Sequence, residues 1–473
     1  MATTVQERKL LVDGEWLETG EWIDVRSPYD GELVGRVPKA GAAETRRALD
    51  AAERALREPL PAWRRAEILD RVAALLRERQ EEAARTISAE AGKPLKAARV
   101  EAARAVSTFT FAAVAARSLA GEMVPMDASQ AGAGKLAFTL RVPIGIVGAI
   151  SPFNFPLNLV AHKLAPALAA GCPVVLKPAT QTPLSALLLA GLETEAGLPA
   201  GWLSVVAGPS AEIGDVLVAD DRVRLITFTG SGPVGWSLRE RAPKKRVNLE
   251  LGNATPAIVL ADADVEAAAG KLAANAFSYA GQSCISVQRI YVAREAYDRF
   301  VAALVPSVEA LKVGDPADEE TDVGPVIDAS NRERILEWIG ESGGELLTGG
   351  TETGDGLIRP AVIARPADEA KVSCEEVFGP VVTVTPVDSL EQAVERANAT
   401  RYGLQAAIFT ADARTALRAA AGLDFGGVVV NEAPTFRADQ MPYGGVKDSG
   451  NTREGPAWAV RELTEERLVV VEL

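Results

Sequence analysis

The chain contains one histidine, His162, and three cysteines, Cys172, Cys284 and Cys374. A single histidine excludes a histidine-rich metal site, and any Ser-His-Asp triad would have to use His162. No metal site is expected. Three cysteines cannot form a disulfide framework, which fits a reducing compartment. Long apolar runs are missing too. The most apolar window, 159–176, carries His162, Lys163, Pro166, Gly171 and Pro173, so it reads as a buried helix, turn and strand rather than a membrane span. Positive charge is in deficit, with 50 Lys and Arg against 64 Asp and Glu, a net charge of −14. Such a chain is repelled by phosphate backbones and anionic lipid, so neither nucleic acid nor membrane is an expected partner. A local basic pocket for a small anion stays compatible with this balance. The opening Met1-Ala-Thr-Thr-Val5 lacks the apolar core of a secretory signal, and a cytoplasmic protein is expected.

Hydrophobic residues make up 48% of the 473 and charged residues 24%, which is ordinary for a globular chain. The length suggests roughly three folding units. There is no internal repeat and no low-complexity tract. Residues 10–38 read as short strands broken by turns, with Asp13-Gly14 as the first turn. Residues 41–117 read as helices. Ile68, Val72, Leu75 and Leu76 share one helical face, Arg71 flanks it, and Arg77 points to solvent. From residue 144 near-continuous apolar runs alternate with helical stretches: 144–150, 174–176, 203–206 and 225–228. A second series follows at 257–260, 289–292, 381–384, 406–409 and 428–430. This predicts α/β architecture with two mostly parallel sheets covered on both faces, and Gly252 to Pro256 reads as the crossover between them.

Residues 121–143 predict a hairpin with its turn at 130–134. The C-terminal run 468–473 predicts an apolar strand with little to shield its edge. The expectation is that these two segments pair between copies of the chain; the alternative is pairing within one chain.

Cys284 lies in the small, polar stretch Tyr279-Ala-Gly-Gln-Ser-Cys-Ile-Ser286 and is expected to be more accessible than Cys172. It is a candidate nucleophile, although a lone cysteine is most often a small buried apolar residue. The run 225–229 predicts a strand leading into Gly230-Ser-Gly-Pro-Val-Gly235. This glycine pattern lets backbone amides approach a pyrophosphate at a helix N-terminus. Glu250, 20 positions after Gly230, would on that reading hold a ribose.

Taken together, Ser151-Pro-Phe-Asn-Phe-Pro156, Lys177-Pro-Ala-Thr180, Phe228-Thr-Gly-Ser-Gly-Pro-Val-Gly235, Leu249-Glu-Leu-Gly252, Gly281-Gln-Ser-Cys284, Glu375-Glu-Val-Phe-Gly-Pro380 and Pro442-Tyr-Gly-Gly-Val-Lys447 resemble the motifs of the aldehyde dehydrogenase superfamily, in the same order and over nearly the whole chain. The resemblance implies two doubly wound parallel-sheet domains and a small β oligomerisation arm. The Rossmann-like cofactor-binding domain would cover 1–123 and 144–252, the catalytic domain 253–448, and the arm 124–143 and 462–473, in a homodimer or homotetramer. It implies NAD(P)+-dependent, hydrolytic oxidation of an aldehyde.

The resemblance also assigns roles. Cys284 attacks the aldehyde carbon and ends as a thioester. The Asn154 amide and the Cys284 backbone N–H steady the oxyanion. Glu250 becomes the base that activates water, not a ribose anchor, and Lys163 resembles a lysine linked to proton relay near it; alternatively Lys163 is structural. Ile150, Ser151, Pro152, Phe153, Lys177, Thr180, Gly230, Ser231, Gly235, Leu251, Glu376 and Phe378 form the cofactor site, and Gly232 is incidental.

Many NAD-using relatives carry Glu three residues after the lysine, and this chain carries Thr180. NADP is therefore an expected cofactor alongside NAD, unless Thr180 is an indifferent loop residue. Leu157, Asn158, His162, Ser283 and Arg437 fall at or near the substrate pocket. Arg437 needs an anionic partner, either a carboxylate or phosphonate on the substrate or the nearby Asp439. A small polar or anionic aldehyde is the expected substrate: a hydroxyaldehyde, a semialdehyde or a phosphonoacetaldehyde-like compound. A CoA-acylating relative, a non-catalytic use of the fold and a thiol-free Rossmann reductase are the competing readings.

Overall fold

A computed structural model describes residues 5–473. Two seven-stranded sheets form the body. In the first, the order is Arg246–Glu250, Val223–Thr229, Ile146–Ile150, Val174–Lys177, Leu203–Val205, Leu10–Val12 and Glu15–Leu17. The first five run parallel and the last two antiparallel. All four residues of Val174–Lys177 are buried, as a parallel strand covered on both faces requires. From Ile146–Ile150 the chain continues to Val174–Lys177 on one side and later returns to Val223–Thr229 on the other. That reversal opens a crevice at the carboxyl ends of Ile146–Ile150 and Val223–Thr229, where open α/β sheets bind ligands.

The second sheet has the order Glu345–Thr348, Ala361–Ala364, Val381–Val387, Val287–Ala293, Thr255–Val259, Gln405–Phe409 and Gly427–Val430. It is parallel except for Glu345–Thr348. The α/β architecture with two parallel sheets is thus as expected. Arg246–Glu250, Ala361–Ala364 and Glu345–Thr348 are strands that the apolar runs did not announce. A further small sheet joins Gln6–Glu7, Leu33–Pro38 and Trp22–Arg26.

The helical stretch resolves into Ala42–Leu56, Ala62–Glu78, Gln80–Ala91 and Leu95–Ser118. Ile68, Val72, Leu75 and Leu76 are all buried in the core shared with the first sheet, while Arg71 and Arg77 are exposed. After residue 448 the chain returns to this first unit, because the helix Pro456–Glu462 packs on the helix Asn158–Ala170. Among the described residues, no helix is long and apolar enough to cross a membrane.

The arm corrects one expectation. Thr464–Glu472 pairs antiparallel with Lys135–Pro143 inside one chain, from Thr464 opposite Pro143 to Glu472 opposite Lys135. Met123–Val124 takes the other edge of Lys135–Pro143. The two segments are close enough along the fold to complete each other's ladder, so no second copy is needed for their mutual pairing. Among the described residues the outer edge of Thr464–Glu472 stays open, with Leu468, Val470, Val471 and Leu473 exposed.

Candidate active site

The loop that carries Cys284 is held in an uncommon conformation. Tyr279 and Ala280 both adopt left-handed backbone, at φ 51° and 52°, and Gly281 follows at φ 70°. Non-glycine residues there cost of order 1 kcal/mol each, so the surroundings must enforce the turn. A Cβ at Gly281 would lie 2.1 Å from the Gly379 carbonyl oxygen, which is why only glycine fits. Gln282 pins the loop. Its Nε2 donates to the carbonyls of Tyr279 and Pro325, and its Oε1 accepts from the Ile327 amide at 2.8 Å. The Tyr279 hydroxyl donates to the Ala91 carbonyl at 2.8 Å. These contacts place Cys284, half-buried, just before the strand Val287–Ala293, where it lines two cavities at once.

One cavity, about 470 Å³, occupies the crevice of the first sheet. Ile150, Ser151, Pro152, Phe153, Lys177, Thr180, Gly230, Ser231, Leu251, Glu376 and Phe378 line it, as do Asn154 and Glu250. Gly235 is not among the residues that line it. It is a packing residue, because a Cβ there would sit 2.5 Å from Leu251 Cδ2. The helix Gly232–Arg241 begins directly after Ser231, so its N-terminal amides face the end of the strand Val223–Thr229. Lys177 Nζ lies 3.3 Å from Thr180 Oγ1, which itself donates to the Gly208 carbonyl. Burial pulls the Lys177 ammonium down to about 8. Burial pushes the Glu376 carboxyl up to about 7, although it accepts from the Asn253 amide. Phe378, itself left-handed at φ 48°, meets the Phe153 ring edge-on at 5.8 Å. The Ser151 hydroxyl is buried on this cavity with no hydrogen-bond partner among the described residues. A cation, a helix N-terminus, a carboxylate, an aromatic face and an orphaned hydroxyl are together a donor set that fits a dinucleotide. Arg334 and Asn331 also reach this cavity and carry no motif in the sequence.

The second cavity, about 300 Å³, opens on the other side of Cys284. Asn158, Ser283 and Arg437 line it. Leu157 and His162 do not: Leu157 is fully buried in the core, and His162 sits behind the wall, bonded to Asp439 at 3.0 Å and to Thr108. Asn158 and Leu159 of the same stretch face the cavity, while Leu157 and His162 are buried away from it. Arg437 does not pair with Asp439. Its Nη2 donates to Glu454 Oε2 at 2.7 Å, and its guanidinium lies 3.8 Å from the Tyr443 ring centroid. Asp439 belongs instead to Arg104, at 2.9 Å from Nη2, and also accepts from Asn158 Nδ2.

Lys93, Glu101, Arg104, Tyr443 and Glu454 went unremarked as site residues in the sequence. Tyr443 at least stood inside a motif. The others come from a helical stretch and from the loop before the helix Pro456–Glu462, with no local pattern to single them out.

Four groups set the electrostatics between the cavities. Burial pushes the Cys284 thiol up to about 12. Burial, reinforced by Glu454, raises the Glu250 carboxyl well above its usual range, and among the described residues neither of its oxygens has a hydrogen-bond partner. Glu454 is held down at about 2; burial would raise it, but the Arg437, His162 and Lys163 charges prevail. Lys163 Nζ donates to Thr229 at 2.7 Å and to Thr227 at 3.2 Å, and stands 3.8 Å from Glu454. Asn154 Nδ2 donates to the Gln282 carbonyl at 3.0 Å, so its amide already reaches the thiol's loop.

The profile described as the aldehyde dehydrogenase family matches residues 16–469. A 3-sulfolactaldehyde dehydrogenase of Priestia aryabhattai is 44% identical over 474 residues, covering 100% of this chain and 99% of that protein. A lactaldehyde dehydrogenase of Methanocaldococcus jannaschii is 39% identical, covering 98% of this chain and all of that protein. The crystal structure of an NADP-dependent glyceraldehyde-3-phosphate dehydrogenase from Bacillus halodurans, complexed with NADP, superposes with a TM-score of 0.95 at 37% identity, covering 99% of each chain. The chain belongs to the aldehyde dehydrogenase family, as an NAD(P)-dependent enzyme that oxidises aldehydes.

Proposed function

We propose that the enzyme oxidises a three-carbon 2-hydroxyaldehyde carrying an anionic group on C3, and releases the carboxylate by hydrolysis. The observation that carries the reading is the position of Cys284, whose side chain forms wall of both the cofactor crevice and the smaller cavity. A carbonyl carbon bonded to that sulfur faces both.

The steps follow from the residues. The Cys284 sulfur bonds to the aldehyde carbon, and the Asn154 amide, already directed at the thiol's loop, turns to the developing oxyanion. When bound, NAD(P)+ supplies the hydride acceptor; Lys177, Ser231, Glu376 and Phe378 would hold it. Glu250 then takes a proton from water, and the resulting attack breaks the thioester C–S bond. Lys163, between Glu454 and the threonines of the strand Val223–Thr229, keeps positive charge near that base.

The substrate class rests on charge. Lys93 is paired with Glu101, and Arg437 with Glu454, so neither pair presents free charge. Arg104 differs. Its side chain is 22% exposed and lines the cavity, while its partner Asp439 is 4% exposed and sits behind it, sharing its charge with His162 and Asn158. The cavity therefore sees the cation more than the anion. The names of the relatives fit: 3-sulfolactaldehyde and glyceraldehyde 3-phosphate are both 2-hydroxypropanals with an anion on C3, and lactaldehyde is the uncharged parent.

The test is a panel of 3-sulfolactaldehyde, glyceraldehyde 3-phosphate, lactaldehyde and succinate semialdehyde with NAD+ and NADP+, with and without CoA, alongside Cys284→Ala. Highest kcat/KM on a C3-anionic hydroxyaldehyde, independence of CoA and no activity in Cys284→Ala are expected. Preference for lactaldehyde overturns the substrate class, a CoA requirement overturns hydrolysis, and an active Cys284→Ala overturns the nucleophile.

A further inference from the structure

The Tyr443 hydroxyl oxygen lies 2.8 Å from Cys284 Sγ. The phenol is 3% exposed and its ring lies under the Arg437 guanidinium. Arg437 is in turn fixed by Glu454. The backbones of Tyr443 and Glu454 form an isolated antiparallel bridge, with the Tyr443 amide donating to the Glu454 carbonyl at 3.1 Å and the Glu454 amide returning a bond at 2.6 Å. One short loop pairing thus holds three side chains in a row, from carboxylate to guanidinium to phenol, ending on the sulfur.

With the sulfur protonated, either the thiol or the phenol can donate. Once the sulfur is ionised only the phenol can, and a hydrogen bond given to the charged form favours that form. A cation over the ring face attracts the ring's electrons and makes its O–H a better donor. The other charged groups around the sulfur come from several elements. Glu250 from the first sheet and Glu376 from the loop before Val381–Val387 oppose ionisation, and Arg437 favours it. Lys93, Glu101 and Arg104 line the far side of the cavity, and Lys163 with Glu454 stands behind Glu250.

We propose that Tyr443 is a further catalytic residue, whose hydroxyl donates to the Cys284 sulfur and stabilises the thiolate, and that Arg437 is a positioning residue that acts through the Tyr443 ring. The proposal rests on Cys284 being the nucleophile. It replaces an anion-receiving task for Arg437 with a task directed at the thiol. The thiol proton leaves to solvent; the phenol proton stays on its oxygen and is shared with the sulfur.

The test reads the sulfur rather than turnover. Iodoacetamide is attacked by the thiolate, forming a C–S bond and expelling iodide, so its rate follows the ionised fraction. The rate is measured from pH 6 to 11 on the Cys284 peptide by mass spectrometry, with the Cys374 peptide as an internal reference. Tyr443→Phe keeps the ring under Arg437 and removes only the donor. Its alkylation at pH 8 should fall about 10-fold or more, with the rise in rate displaced to higher pH. Replacement of Tyr443 by 3,5-difluorotyrosine keeps the shape, strengthens the donor and should raise the rate. Arg437→Lys should lower it by about 3-fold, since a charge remains but the stacked plane is lost. An unchanged or faster Tyr443→Phe, or a slower difluorotyrosine enzyme, overturns the proposal. An active Cys284→Ala would instead remove the nucleophile reading while leaving the measured acidity of the thiol intact.

Discussion

Arg437 Nη2 and Glu454 Oε2 stand 2.7 Å apart, with both side chains almost wholly enclosed. The arginine nearest the candidate nucleophile is therefore neutralised before any substrate arrives. On the proposed substrate class, recognition of the anion falls to Arg104, which lines the same cavity. Arg104→Gln should raise KM for a C3-sulfonated or C3-phosphorylated aldehyde by about 10- to 100-fold, the range of a lost charge-assisted hydrogen bond. KM for lactaldehyde should change by less than about 3-fold, since it has no anion to lose. Equal effects on charged and uncharged aldehydes would show that Arg104 acts only by holding Asp439. Steady-state kinetics on matched pairs decide it.

Cofactor choice should depend on pH through Lys177. Burial draws its ammonium down to about 8, so the charged form prevails below that pH and is lost above it. A 2′-phosphate needs that charge and a free ribose hydroxyl does not. The ratio of kcat/KM for NADP+ to that for NAD+ should fall as pH rises through about 8. Thr180→Glu places a carboxylate three residues on, beside the lysine, and should turn preference toward NAD+ by at least about 10-fold through like-charge repulsion. Parallel pH profiles for the two cofactors, or an indifferent Thr180→Glu, would remove Lys177 and Thr180 from cofactor selection.

Much of this site was legible because its motifs are local. Gly281 and Gly235 mark backbone approaches that a single side chain would block, and both stand in recognisable strings. Continuous apolar stretches such as Val174–Lys177 announced the parallel strands. Arg246–Glu250 did not, because as an edge strand only part of it is buried. The charge partners were illegible for a different reason. Asp439, two residues from Arg437, was the natural local partner, yet the bridge between Tyr443 and Glu454 carries Glu454 to the guanidinium and leaves Asp439 to Arg104, 335 positions away. Pairing of this kind is set by tertiary approach, and a chain read in order holds no trace of it.

The Glu250 carboxyl is raised far above the usual range by burial, with Glu454 adding to the effect. A general base works only when ionised, so the ionised fraction and with it the hydrolysis step should grow with rising pH. kcat should climb on the alkaline side, and Glu250→Gln should flatten that limb and lower kcat by about 10²- to 10⁴-fold. The first turnover should survive, since acylation does not use Glu250. Rapid mixing should then show a burst of reduced cofactor of about one equivalent per active site followed by a slow steady rate. Loss of the burst together with turnover would place Glu250 before the thioester.

The open outer edge of Thr464–Glu472 exposes Leu468, Val470 and Val471. Unpaired apolar edges invite association. Light scattering should give a dimer or tetramer for the wild type and a smaller species for Leu468→Glu/Val470→Lys. A monomeric wild type at micromolar concentration would refute association through this arm.

The loop that bears Asn154 depends on a buried pair. Lys93 and Glu101 have side chains 1% and 0% exposed and are hydrogen-bonded to each other. Glu101 Oε1 also accepts from the amides of Leu157 at 3.0 Å and Asn158 at 3.1 Å, at the start of the helix Asn158–Ala170. The Lys93 ammonium lies 3.7 Å from the centroid of the Phe155 ring. Removing one member leaves the other charge buried without its counterion, at a cost of about 3–5 kcal/mol. Lys93→Met should therefore lower unfolding free energy by that amount in urea titrations. The double variant Lys93→Met/Glu101→Gln should recover part of the loss, because a neutral amide can still accept from the two helix amides. If the single and double variants are equally destabilised, the ion pair is not what holds this end of the helix, and packing of Phe155 alone must carry the loop.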